Sequence, residues 1–256
     1  MRKSINLYFC KNDTKEKLDA IKAAGYEEFF TGINDVGETM TMTEQLEYAS
    51  SIGLQCTMIH CKYGLDASFF WLNDEKGDVV VNDYLNQIEV CAKYCKYFVV
   101  HLTGFYITQI FPIGLERLKI LLDRCKELGV YLCVENLELA DEISYIFDNI
   151  DHSNLMMCYD IGHKYFATPN SDYVSRFGKF IKVLHIHDND CKYDLHKIPF
   201  QADINWEEVA KELASLPSDI VLSSEIKGSV NYEKTLQENL TALNKLEEMI
   251  KKYRSI

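Results

Sequence analysis

A chain of 256 residues with 39 acidic and 27 basic side chains carries a formal charge of −12, which argues against a nucleic-acid partner, because such a face needs cations to neutralise phosphates. At 47% hydrophobic and 26% charged, with 4 prolines and 12 glycines, it has a globular composition, little room for long linkers, and enough length for one large barrel or two small domains. Met1-Arg2-Lys3-Ser4 leads straight into a β-prone run without the features of a secretory leader, and no apolar stretch approaches membrane-spanning length.

The nine cysteines are odd in number. Cys56, Cys133 and Cys158 sit in apolar strand-like runs, and Cys91 and Cys95 are four apart on a helical stretch. They read as free thiols in a reducing cytoplasm.

In chain order, Ile5–Phe9 predicts a strand, and Lys15–Ala24 a helix behind the cap Asn12-Asp13-Thr14, stopped by Gly25. Glu28–Thr31 is a second strand, Thr43–Ser51 a helix, and Leu54–His60 a third strand. Cys61–Val81 reads as an irregular loop whose aromatics Phe69, Phe70 and Trp71 either meet substrate or pack beneath the loop. Asn82–Tyr94 is helical, Tyr97–His101 a strand, Pro112–Leu128 a helix and Val130–Glu135 a strand. Asp141–Asn149 is a short helix before the strand Leu155–Asp160. Ser171–Gly178 reads as a link to the strand Ile181–His187. Helix Trp206–Leu216, strand Ile220–Glu225 and helix Tyr232–Tyr253 complete the chain. Eight near-continuous apolar strands alternating with helices predict a parallel sheet covered on both faces. The length fits one (β/α)8 TIM barrel over residues 1–256. An open doubly wound sheet is the alternative, but Phe9-Cys10-Lys11-Asn12 is no Gly-rich phosphate loop.

Strands three to eight end on His60, His101, Glu135, Asp160, His185 and Glu225. The C-terminal end of the strands is the catalytic face of this barrel. One histidine at a strand end is more often hydrogen-bonded than metal-bound. Six metal-competent residues in register are a different matter. Crowding Glu135, Asp160, Asp194 and Glu225 together without a cation would raise some of their pKa values steeply.

Val134-Glu135-Asn136, Tyr159-Asp160-Ile161-Gly162-His163, His185-Ile186-His187-Asp188-Asn189-Asp190, Asp194-Leu195-His196, Ile204-Asn205-Trp206 and Ser224-Glu225 resemble motifs of the xylose isomerase-like barrel superfamily. That superfamily includes sugar isomerases and epimerases and the AP endonucleases of the endonuclease IV type. In the epimerase branch the resemblance implies one divalent metal, manganese, zinc, magnesium or cobalt, on Glu135, Asp160, His185 and Glu225. It selects His185 over His187, which strand alternation cannot do. It also implies proton transfer by Glu135 and Glu225 and a substrate contact from His163. In the endonuclease branch it implies three zinc ions on His60, His101, Glu135, Asp160, His163, His185, Asp194, His196 and Glu225. With one metal, His60 and His101 become substrate contacts. Lys192 and Lys227 are candidate contacts for further substrate oxygens, or solvent-facing lysines at the rim.

The expected function is metal-dependent isomerisation or epimerisation of a small sugar or polyol-derived ketose. The alternatives are a metallo-phosphodiesterase and a sugar-binding, lyase-type subunit. The loop Phe200-Gln201-Ala202-Asp203 departs from the small, Gly-rich turn expected before Ile204. Specificity is expected in the loops 61–81 and 104–113, and a homo-oligomer is left open.

Overall fold

A computed structural model describes residues 1–10, 13–32, 40–62, 65–103, 110–228 and 231–255. Eight strands alternate with helices. The strands are β1 (Lys3–Ile5), β2 (Glu28–Gly32), β3 (Gln55–His60), β4 (Tyr97–Val100), β5 (Tyr131–Glu135), β6 (Leu155–Asp160), β7 (Ile181–His185) and β8 (Leu222–Ser224). The helices are α1 (Thr14–Ala24), α2 (Met42–Ser51), α3 (Glu75–Cys91), α4 (Pro112–Leu128), α5 (Ala140–Asn149), α6 (Ile161–Phe166), α7 (Tyr173–Phe177), α8 (Trp206–Ala214) and α9 (Tyr232–Arg254).

Strands β2 to β7 pair in sequence order, and β1 pairs with β8, all parallel. Parallel bridges Asn6–Phe30 and Ile186–Ser224 join the two sets. The Ile186 N–H donates to Ser223 O at 2.9 Å, and the Glu225 N–H to Ile186 O at 3.0 Å. The sheet is therefore a closed (β/α)8 barrel, which excludes the doubly wound alternative.

Strand periodicity of two sorts the side chains. Ile59, Phe98, Val100, Leu132, Val134, Met157, Tyr159 and Leu184 join the core beneath the helices. The alternate positions Phe30, Met58, Val99, Cys133, Cys158 and Val183 form a separate buried apolar cluster that fills the barrel. Two residues beyond the last five of these lie His60, His101, Glu135, Asp160 and His185. The polar layer thus stands directly on an apolar floor.

Several boundaries differ from the sequence reading. The first strand stops at Ile5, and Leu7–Phe9 is a 3-10 turn. Asn6 causes the break: its side chain donates to Ile226 O and accepts from the Ile226 N–H, each at 3.0 Å. Residues 65–71 form a 3-10 helix, and α3 starts at Glu75, seven residues early, because Asp74 caps it by accepting from the Lys76 N–H at 2.8 Å. Arg117 fixes this segment, donating to the carbonyls of Phe70, Leu72 and Asp74 at 2.6–2.9 Å. Phe70 and Trp71 are fully buried and pack beneath the loop rather than facing substrate. The link 171–178 contains α7, capped by Asp172. Of the two loops expected to set specificity, residues 63–64 and 104–109 lie outside the described residues.

Candidate metal centre

Glu135, Asp160 and His185 end β5, β6 and β7, and Glu225 follows β8. All four are buried, and one donor atom from each lies within 4.8 Å of the others. His185 Nδ1 is 3.2 Å from Glu135 Oε1, 3.2 Å from Glu225 Oε2 and 3.6 Å from Asp160 Oδ2. Among the described residues, neither His185 ring nitrogen makes a hydrogen bond. Buried polar atoms are rarely left so. A bare imidazole nitrogen among three carboxylate oxygens is the donor set a borderline divalent cation accepts.

Among the described residues three further donor groups share or flank this centre: Glu135, Cys158 and His185; His60, His101 and Glu135; and His163, His187, Asp194 and His196. Backbone carbonyls fix the tautomers. His60 Nδ1 lies 3.0 Å from Cys61 O, His163 Nδ1 3.1 Å from Asn136 O, and His196 Nδ1 3.1 Å from Glu225 O. A carbonyl only accepts, so each Nδ1 carries a proton. Each Nε2 then turns toward a carboxylate: His60 to Glu135 Oε2 at 3.3 Å, and His196 and His163 to Asp194 Oδ2 at 2.8 and 3.8 Å. A lone pair against a carboxylate oxygen is repulsive unless a second proton or a cation lies between. His101 Nε2 also reaches Glu135 Oε2, at 3.0 Å.

With protons alone, the cluster settles into imidazolium–carboxylate pairs. Burial opposes charge on His163, but Asp160, Asp194 and Glu135 outweigh it and hold its pKa well above the ordinary range. Burial likewise opposes charge on His185, where Cys158, Glu225 and Glu135 prevail. Burial pushes Glu135 and Asp160 up, yet the surrounding imidazoles hold both well below the usual carboxylate range. At His101 burial wins, and the pKa falls despite Glu135. A bound cation would replace these extra protons.

The residues around the donors orient them. Asn136 Nδ2 donates to Asp160 O, and the Asp160 N–H donates to Asn136 Oδ1, both at 2.8 Å. Asp160 also caps α6, accepting from the His163 N–H at 2.6 Å. Asp188 is fully buried but is not a donor: it accepts from the Ala202 and Ile204 N–H groups and from Trp206 Nε1, at 2.9–3.2 Å. This explains the Ile204-Asn205-Trp206 motif. In the turn before Ile204, which departs from the small, Gly-rich one expected, Phe200 takes the left-handed conformation at φ 70° and packs its ring 5.2 Å from that of Trp206.

Every histidine and carboxylate expected at the site is brought together. Lys192 is exposed on the loop after β7 and belongs to none of the donor groups. His187 is set aside in the sequence reading in favour of His185, and Tyr8 is not marked there. His187 is fully buried, with Nε2 3.2 Å from Asp160 and its ring stacked 4.1 Å from His196; its signal was the His-x-His spacing, which puts both rings on one face. Tyr8 donates to Glu225 Oε1 at 2.5 Å, and nothing in its sequence neighbourhood marks it.

The family description "Xylose isomerase-like TIM barrel" matches residues 18–246. The chain belongs to this family. An uncharacterised protein of Methanocaldococcus jannaschii is 26% identical over 161 residues, which is 57% of this chain and 55% of that one; the chain thus matches about half the length of that relative. Among solved structures, D-psicose 3-epimerase from Clostridium cellulolyticum H10 superposes with a TM-score of 0.77 at 16% identity, covering 98% of this chain and 99% of that one. The IolI protein, solved with a zinc atom, gives 0.79 at 18% identity over the whole of both chains. These likenesses show a shared fold. No helix among the described residues is long and apolar enough to cross a membrane.

Proposed function

We propose that this family member is a divalent-metal-dependent isomerase or epimerase acting on a small sugar or polyol-derived ketose. The observation that carries the proposal is the bare His185 Nδ1 among Glu135, Asp160 and Glu225. The epimerase and the zinc-containing protein of the same fold support it. A cation held by these four residues supplies Lewis acidity toward adjacent carbonyl and hydroxyl oxygens of a sugar.

The chain's own groups do the rest. Glu135 and Glu225 hold and move the proton at the carbon beside the carbonyl, one as base and the other as acid. Their hydrogen-bonded surroundings keep both ionised at rest: burial raises each, and the imidazoles, foremost His185, outweigh it. His163 presents an Nε2 that hydrogen-bonds a substrate oxygen, with His60 and His101 beside it. The apolar layer of Phe30, Met58, Val99, Cys133, Cys158 and Val183 closes the barrel below and keeps water from reaching the site by that route.

The test is deuterium uptake at the α-carbon of ketopentoses and ketohexoses in D2O, followed by NMR. Wild type with Mn2+ is expected to exchange one α-proton, and Glu135→Gln and Glu225→Gln to lose about 10²–10⁴-fold. The two flanking donor groups favour a second reading, a three-zinc phosphodiesterase. Nicking of abasic-site DNA at trace protein, abolished by Glu135→Gln, with no sugar exchange, would establish that reading instead.

A further inference from the structure

Strands β1 and β2 end without a metal-competent residue, yet aromatic side chains from this part of the chain touch two of the four central donors. We propose that Tyr8 is a positioning residue for the cation: its phenol commits one oxygen of Glu225 and leaves the other to face the centre. This rests on the reading of Glu225 as a ligand.

Tyr8 sits half-buried in the 3-10 turn after β1. Its O–H donates to Glu225 Oε1 at 2.5 Å, a short charge-assisted bond. The opposite oxygen, Oε2, is the one 3.2 Å from His185 Nδ1. A carboxylate with both oxygens free can swing between one-point and two-point coordination. With Oε1 committed, Glu225 offers one oxygen in one direction.

The phenol is itself held. Its ring meets Phe30 edge to face, with centroids 6.0 Å apart at 84°. Phe30 in turn stacks on the His185 imidazole at 5.3 Å and 13°. The Tyr8–Phe30 pair therefore sets the direction of Glu225 and the ring plane of His185 together. The backbone carrying Tyr8 is tied to both neighbours of Glu225. The Asn6 N–H donates to Ser224 O, and the Asn6 side chain closes two bonds with Ile226, all at 3.0 Å. Two strands that supply no ligand thus supply the support for two ligands, a role usually filled by groups just outside the donors.

The experiment titrates metal-free wild type and Tyr8→Phe with Mn2+ and Zn2+ by calorimetry, and records the visible spectrum of each protein with Co2+. Tyr8→Phe deletes one oxygen and keeps the ring, so the metal-free variant is expected to fold, with its melt lowered by the lost bond to Glu225. Its metal Kd is expected to rise about 10–100-fold, with a changed Co2+ absorption envelope. A purely structural tyrosine would shift the metal-free melt and leave Kd and spectrum alone, and that result overturns the proposal. Equal Kd values and superimposable spectra also overturn it. If wild type itself takes up no cation, the reading of the four-residue centre fails first, and the role of Tyr8 falls with it.

Discussion

Glu142 shows what burial alone does to an acid in this molecule. It is 1% exposed on α5 and accepts from Thr103 Oγ1 at 2.9 Å and Trp71 Nε1 at 3.2 Å. Burial pushes its pKa up to about 7, against the lowering effect of those two donors. The folded state therefore holds this proton more tightly than the unfolded chain. The stabilisation is complete below about pH 4.5 and is lost as pH rises through 7. The loss across that window is about 3 kcal/mol. Glu142→Gln should remove this slope, so urea denaturation should find the variant more stable than wild type at pH 8 and level with it at pH 5. An unchanged slope would mean that Glu142 does not titrate in this window. Glu135, just as buried, goes the other way, because imidazoles surround it. The residue types at the site were legible in the sequence because all six strand ends carry metal-competent groups. Tyr8 was not, since a phenol reaching Glu225 at the end of the paired strand, 217 residues away in sequence, leaves no local pattern.

At the scale of elements, the passage from β6 into α6 carries the most constraint. Asp160 ends the strand, caps the helix and faces the centre, and Gly162 follows in the first turn. A Cβ on Gly162 would lie 1.9 Å from His187 Cε1 and within 2.4 Å of two other ring atoms. Gly162→Ala should therefore displace His187 or shift α6, at a cost of about 1–3 kcal/mol or more. Denaturation combined with metal titration checks this, and a variant with wild-type stability and affinity would show that the ring is free to move. The Asp-Ile-Gly-His pattern was readable as a motif, but the reason for its glycine was not, because His187 comes from the segment after β7. The barrel was legible from eight apolar runs alternating with helices and from the chain length, with an open doubly wound sheet left as the alternative. The end of β1 and the start of α3 were not, because both are set by side-chain hydrogen bonds, from Asn6 to Ile226 and from Asp74 to Lys76. Propensity has no access to the first of these, which spans 220 residues.

At the scale of the whole molecule, the barrel gathers three buried acids, Glu135, Asp160 and Glu225, and the half-buried Asp194 beneath one mouth of a chain already at −12. Protons on the histidines balance them only as long as pH allows; a divalent cation does so independently. A ligand that binds only the folded state stabilises it by RT ln(1 + [L]/Kd), about 2.7 kcal/mol at a hundredfold excess over Kd. Chelator treatment should therefore lower Tm, and Mn2+ or Zn2+ should restore it. The most direct test of the central claim is the metal content of protein purified without added metal or chelator. The expected result is at least one divalent ion per chain in wild type, lost in Asp160→Asn while that variant stays folded. Wild type without stoichiometric metal, and with a Tm unmoved by Mn2+, Zn2+, Co2+ or Mg2+, would contradict it.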